Sequence, residues 1–248
     1  VKYKSWSKEI WTKIESALEA ELKSSPHHPI AAFDADGTLW DTDLGETFFK
    51  YQISKKVLSH LPENPWIHYR QLKESGDPRP AYLWLAQINQ NHKIGEVRKW
   101  AEDAVRAHSP LPIFEDQQKL IQLFLSKGVQ VFIVTASVAW AVEPGGIRLG
   151  VPMENVLGVR TKVQRDVVTD LQEGVITYRE GKLEALLEVT DGRKPFFASG
   201  NTMGDLALLE GAKLSLAVGA AQEGQELFAT EERLRQEAIA RNWLIHRF

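Results

Sequence analysis

Two aspartates one residue apart, Asp34 and Asp36, follow the apolar run Ile30-Ala31-Ala32-Phe33 and precede Gly37-Thr38. Carboxylates this close repel each other unless a cation or a proton lies between them. The pair is therefore a candidate metal site, a candidate acid/base pair, or both. Asp and Gly are also ordinary turn residues, so an isolated D-x-D carries little by itself. This one has company. Thr135 and Ser137 follow the apolar run 129–134, and Asn201 and Asp205 follow the run 195–198 in Ser199-Gly200-Asn201-Thr202-Met203-Gly204-Asp205. Lys182 stands ahead of this third cluster, at the start of a helical pattern. Carboxylates for a divalent cation, hydroxyls and a lysine for an anion, and a loop rich in backbone donors together suit a phosphate.

Each cluster closes an apolar run of buried-strand length, and Gly37 marks a break just past the first. Strands are expected at 30–34, 129–134, 155–159, 195–198 and 214–218. A hairpin is expected from 167–169 and 175–178 on either side of Glu173-Gly174. Helices alternate with them. The segment 5–23 places Trp6, Ile10, Ile14, Ala17, Leu18 and Leu22 on one face, and 115–127 closes at Gly128. A stretch broken by Pro144-Gly145-Gly146 follows, then 182–190 and a polar C-terminal helix. Alternating strands and helices imply a parallel sheet covered on both faces, an α/β doubly wound architecture. Ligands of such sheets bind beyond the carboxyl ends of the strands, where the three polar clusters fall.

Residues 44–109 break the alternation. Helical stretches at 44–61, 65–75, 80–91 and 94–108 follow one another with no strand between, which reads as an inserted all-helical cap. The expected organisation is an N-terminal amphipathic helix and connector at 1–29, an α/β core from 30–43 and 110–248, and the cap at 44–109. Trp40, Trp66, Tyr82 and Trp84 suit either a cage for a quaternary ammonium or the interior of that cap, with the interior favoured. Glu46 and Trp40 are candidate contacts for the rest of a substrate. Arg70 and Arg79 are candidates for a substrate carboxylate. Asp41 and Asp43 read as solvated hinge residues, and His27-His28, between prolines, as solvated connector.

Bulk properties narrow the classes. With 248 residues, 43% hydrophobic and 25% charged, the chain has the composition of an ordinary globular protein with a sizeable core. A formal charge of −3, from 30 basic and 33 acidic residues, offers no field for nucleic acid or an anionic membrane. No apolar run approaches the ~20 residues of a membrane helix. Without cysteine there is no disulfide and no thiolate nucleophile. The first residue is Val1, which fits a cleaved export signal or a trimmed piece. A cytoplasmic site is favoured, with periplasmic export left open, as is the oligomeric state.

Asp34-x-Asp36-Gly37-Thr38, the strand-end Thr135, Lys182 and the Gly200-Asn201-x-x-x-Asp205 cluster resemble, in order, the four motifs of the haloacid dehalogenase superfamily. The helical insert directly after the first motif resembles the cap of its phosphoserine-phosphatase-like branch. The resemblance covers about residues 30–218. It implies a Rossmann-like core and a Mg²⁺-dependent phosphatase of small phosphorylated metabolites working through an aspartyl-phosphate. Asp34 would be the nucleophile and Asp36 the general acid and then base. Thr135 and Lys182, assisted by Ser137, would hold the phosphate oxygens. The Asp34 carboxylate, the Asp36 carbonyl, Asn201 and Asp205 would serve the metal. Asn201 stands where the commonest pattern has Asp, which removes one charge from the site. A phosphotransferase or mutase using the same intermediate, and a silent binder of phosphorylated ligands, are the competing readings.

Overall fold

The computed structural model describes residues 3–24 and 27–248. Helix α1 (Lys8–Ser24) leads to strand β1 (Ile30–Phe33), and four helices follow with no strand between them: α2 (Leu44–Lys55), α3 (Pro65–Lys73), α4 (Arg79–Gln87) and α5 (Ile94–Ala107). Next come α6 (Glu115–Ser126), β2 (Gln130–Val138), α7 (Ala139–Arg148), β3 (Val156–Gln164), β4 (Val167–Glu173) and α8 (Glu180–Val189). The chain closes with β5 (Phe197–Gly200), α9 (Leu206–Glu210), β6 (Leu214–Gly219), α10 (Phe228–Ala240) and β7 (Leu244–Arg247). Among the described residues no helix is long and apolar enough to cross a membrane. The Ser25-Pro26 part of the connector lies outside the described residues. Beyond it, a ring nitrogen of His28, Nδ1, lies 3.0 Å from the Gly128 carbonyl.

One seven-stranded sheet in the order β4-β3-β2-β1-β5-β6-β7 forms the centre, parallel throughout except for the β3–β4 pair. The two-residue period of a strand divides its side chains between two layers. Ala31, Phe33, Val131 and Ile133 face one way, in a core shared with α1 and α6. Ile30, Ala32, Phe132 and Val134 face the other, against Leu186 of α8, Leu208 and Leu209 of α9, and Leu234 of α10. From β1 the chain winds outward to β2, and from β5 it winds outward the opposite way to β6, so the reversal falls between β1 and β5. The crevice of an open α/β sheet lies at such a reversal.

The insertion α2–α5 has its own apolar interior of Phe48, Phe49, Tyr69, Leu85, Val97 and Ala101. It continues into Val138, Trp140 and Val159 of the sheet side, and Trp66, Tyr82 and Trp84 are packed against it. Arg98 of α5 adds an ion pair with the buried Glu143 of α7, Nε to Oε2 at 2.7 Å.

Three local expectations are corrected. The hairpin is β3–β4, with Gln164 opposite Val167, and not a pair flanking Glu173-Gly174. Its turn residues Arg165 and Asp166 both have positive φ, at 49° and 64°, a two-residue turn that suits strand twist but lacks the usual glycine signal. Pro144 does not break α7, which runs through it. The following glycine serves close approach, because a Cβ at Gly145 would stand 2.7 Å from the Trp40 ring. Helix α2 stops at Lys55, since Lys56 turns left-handed at φ 52° and caps it. Strand β7, too short and too polar to register in the sequence, completes the edge beside β6.

Candidate active site

Asp34 leaves the end of β1 still hydrogen-bonded to the sheet, its amide donating to the Ser199 carbonyl at 2.9 Å. A tight turn follows, in which the Gly37 amide donates to the Trp40 carbonyl at 2.9 Å and Gly37 takes φ +78°. That turn folds Thr38 back so that its hydroxyl lies 2.9 Å from Asp34 Oδ2. Asp36 is held by three donors: Trp40 Nε1 and the Leu44 amide on Oδ1, both at 2.8 Å, and the Ser137 hydroxyl on Oδ2 at 2.6 Å.

Lys182, buried in the first turn of α8, donates to Asp34 Oδ1 at 2.5 Å and to Asp205 Oδ1 at 2.6 Å. Burial works against its charge, but Asp205 and Asp34 outweigh that and hold its pKa above the ordinary lysine range. Burial, then the charge of Asp205, push Asp34 up to about 7 against the pull of Lys182. Burial also raises Asp36, opposed by its bonds from Leu44, Ser137 and Trp40. The two aspartates thus occupy different electrostatic surroundings although one residue apart.

These groups open into one cavity of about 510 Å³, whose walls include Asp34, Asp36, Thr135, Lys182, Asn201 and Asp205. The insertion contributes Glu46, Tyr69, Lys73 and Tyr82, and the loop after β6 contributes Glu226 and Leu227. Thr135 Oγ1 accepts from the Ser137 amide at 3.1 Å, which leaves its own hydroxyl hydrogen for an anion in the cavity. Ser137, expected on the phosphate, spends its single hydroxyl hydrogen on Asp36 instead. Asp205, expected on the metal, has Oδ1 on Lys182 and Oδ2 on the amides of Asn201 and Thr202, at 3.0 and 2.9 Å. It orients the lysine and closes the loop.

Trp40, expected to contact substrate, is fully buried and is not part of the cavity wall. Its place is behind Asp36. Glu46 does line the cavity and accepts from Lys73 Nζ at 3.1 Å. Arg70 and Arg79 are exposed and pair with Glu74 and Asp77, outside the wall. Asp43, read as a solvated hinge residue, caps α2 through the Glu46 amide at 2.7 Å and lines the cavity. Sequence reasoning missed Tyr69, Lys73 and Glu231 because they come from the insertion and α10 at no fixed distance from the motifs.

The oxygen donors here suit a hard divalent cation. Asp34 Oδ2 and Asn201 Oδ1 lie 2.9 and 3.2 Å from the same Thr38 hydroxyl, which has one hydrogen for two acceptors. Among the described residues no hydrogen bond reaches the Asp36 main-chain carbonyl. One carboxylate, one amide oxygen and one carbonyl leave half of an octahedral shell to water and phosphate, the usual habit of Mg²⁺. Among the described residues no group of three acidic, histidine or cysteine side chains is arranged to hold a metal unaided.

A family model described as haloacid dehalogenase-like hydrolase matches residues 31–210. No curated protein matches the chain. Among solved structures, a conserved protein of unknown function from Anaerococcus prevotii is similar at TM-score 0.74 and 16% identity, over 98% of this chain and 93% of that one. A protein of unknown function from Bordetella pertussis Tohama I is similar at 0.72 and 18%, over 88% and 98%. A phosphoserine phosphatase, solved as a phospho-aspartyl intermediate analogue, is similar at 0.54 and 16%, over 88% and 92%. At these identities the likeness is one of fold.

Proposed function

Because the chain belongs to the haloacid dehalogenase-like hydrolase family, we propose that it is a phosphatase of small phosphomonoesters that works through an aspartyl-phosphate on Asp34. One observation carries the reading. Asp34 touches Lys182 at 2.5 Å, while Asp36 makes no hydrogen bond to the lysine and is fixed instead by Trp40, Leu44 and Ser137. Two carboxylates with separated environments are what a nucleophile and a proton carrier require.

In the first step an Asp34 carboxylate oxygen attacks phosphorus and the bond from phosphorus to the leaving alcohol breaks. The alcohol oxygen takes its proton from Asp36. Trp40 Nε1 and the Leu44 amide fix Asp36 Oδ1 as an acceptor, so the proton resides on Oδ2, the oxygen beside Ser137. In the second step Asp36, now a carboxylate, takes a proton from water as that water attacks phosphorus. The Asp34–phosphorus bond breaks, phosphate leaves, and both aspartates are restored. Lys182 and the Thr135 hydroxyl offset the charge on the phosphate oxygens. We assign Mg²⁺ to Asp34, the Asp36 carbonyl and Asn201; when bound, it would neutralise phosphate charge that otherwise repels a carboxylate nucleophile. The helices α2–α5 act as a cap that limits bulk water.

Beyond the phosphate the wall carries Asp43, Glu46 and Glu226 against Lys73 alone. Lys73 already donates to Glu46 at 3.1 Å and Glu226 at 3.4 Å. The Tyr69 hydroxyl and Asp43 Oδ2 carry no hydrogen bond among the described residues. This end accepts an ammonium-bearing leaving group better than a carboxylate.

The test is phosphate release from a panel of phosphomonoesters with and without Mg²⁺, alongside Asp34→Asn. Mg²⁺-dependent release lost in Asp34→Asn is the expected result. Release that survives Asp34→Asn overturns the mechanism, and tight ligand binding with no release supports a silent binder.

A further inference from the structure

The hydrolytic steps leave Glu231, a buried acid of this cavity, without work. Glu231, in the first turn of α10, is 3% exposed and lines the same cavity. Its Oε1 accepts from Asn201 Nδ2 at 3.3 Å, and its Oε2 accepts from the Ala221 amide at 3.0 Å, with Arg247 Nη1 3.8 Å away. A carboxylate is costly to bury, and the amides and the start of a helix are the features that make this one tolerable.

Asn201 is pinned from both sides. Its Nδ2 donates to Glu231 while its Oδ1 accepts from Thr38, 3.2 Å away and beside Asp34. Reversing the amide would set its oxygen against the Glu231 carboxylate. An aspartate at 201 would do the same in either orientation, placing two buried carboxylate oxygens 3.3 Å apart with no hydrogen between them. Glu231 therefore dictates both the residue type at 201 and the direction in which its oxygen points.

We propose that Glu231 is a positioning residue for the divalent cation, supplying through the Asn201 amide the negative charge that an aspartate at 201 would have carried. Asn201 and Glu231 act as one anionic unit, with the neutral amide oxygen presented to the cation and the charge one hydrogen bond behind it. An outer partner of this kind orients the donor atom and raises its basicity. The inference rests on the assignment of a cation to Asp34 and Asn201.

Titration calorimetry of Mg²⁺ into the full chain tests it without turnover. Glu231→Gln is expected to weaken Mg²⁺ binding about 10- to 100-fold, the usual consequence of losing an outer partner. Asn201→Asp alone lowers the unfolding midpoint of the metal-free protein, because it opposes two buried carboxylates. The double variant Asn201→Asp/Glu231→Gln moves the charge to 201 and keeps the hydrogen bond, and is expected to return within about threefold of the parent affinity. A purely structural Glu231 would not be rescued this way, and the double variant carries the test if Glu231→Gln alone folds poorly. Parent-like Mg²⁺ binding by Glu231→Gln, or no rescue in the double variant, overturns the role of Glu231 alone. A parent chain that binds no Mg²⁺ removes the cation assignment and this role with it.

Discussion

Replacing Gly37 with alanine tests the geometry on which the proposed metal site depends. Two penalties combine. Gly37 has φ +78°, a left-handed conformation that costs a residue with a Cβ about 1–2 kcal/mol. The new Cβ would stand 2.2 Å from Asn201 Nδ2, where ordinary contact begins at 3.4 Å, so the amide must retreat by more than about 1 Å. Asn201 is buried and held by Thr38 and Glu231, and a retreat of that size breaks its 3.3 Å bond to Glu231. An unmade buried hydrogen bond adds about 1–3 kcal/mol, for a total of about 2–5 kcal/mol. Function should suffer more than stability. A donor displaced by about 1 Å costs on the order of 100-fold in rate. Gly174→Ala is the control, because Gly174 also has positive φ, at +67°, but nothing lies within 4 Å of its would-be Cβ. Thermal unfolding without metal, and phosphate release across a Mg²⁺ series, separate the effects. The control loses about 1 kcal/mol and keeps its Mg²⁺ dependence, whereas Gly37→Ala needs roughly tenfold more Mg²⁺ or more. Equal Mg²⁺ dependence in the two variants would refute the placement of the cation beside Asn201.

Three further outcomes are expected. Trp40→Phe removes the Nε1 donor from Asp36 Oδ1 and should lower kcat about tenfold with KM little changed, since one hydrogen bond is worth about 1.4 kcal/mol; a KM change confined to one substrate would instead restore Trp40 as a substrate contact. Burial, with the charges of Asp36 and Glu46, pushes Asp43 up to about 8, so the folded chain binds a proton there that the unfolded chain has released, and stability falls as pH rises from about 4 to 8. Asp43→Asn keeps the helix cap and removes that penalty, so its melting temperature should match the parent near pH 4 and exceed it progressively up to pH 8, by at least the roughly 2–4 °C that about 1 kcal/mol produces; a difference independent of pH would count against the charge as its cause. Among esters of similar size, aminoalcohol phosphates should surpass carboxylate-bearing ones in kcat/KM by about tenfold or more, reflecting the surplus of carboxylates around Lys73, and a preference for phosphoglycerate would reverse the reading of that wall.

What the sequence determined by itself is local and periodic. The parity of Ile30–Phe33, the run before Thr135 and the run before Asn201 placed three polar clusters at three strand ends, and a parallel sheet must bring such ends to one edge. Asp34, Asp36, Thr135, Lys182 and Asn201 accordingly face one cavity. Tertiary structure decided which atoms of these groups are free. Ser137 and Trp40 are committed to Asp36, and Asp205 to Lys182 and the loop amides, because a hydroxyl or indole has one hydrogen and a carboxylate four lone-pair sites to distribute. It also decided who stands behind Asn201. Glu231 lies 30 positions away on α10, and a hydrogen bond between elements that far apart leaves no period or spacing in the chain. Strand ends are set by patterns within one element, whereas partners are set by how elements pack, and only the folded chain contains that distance.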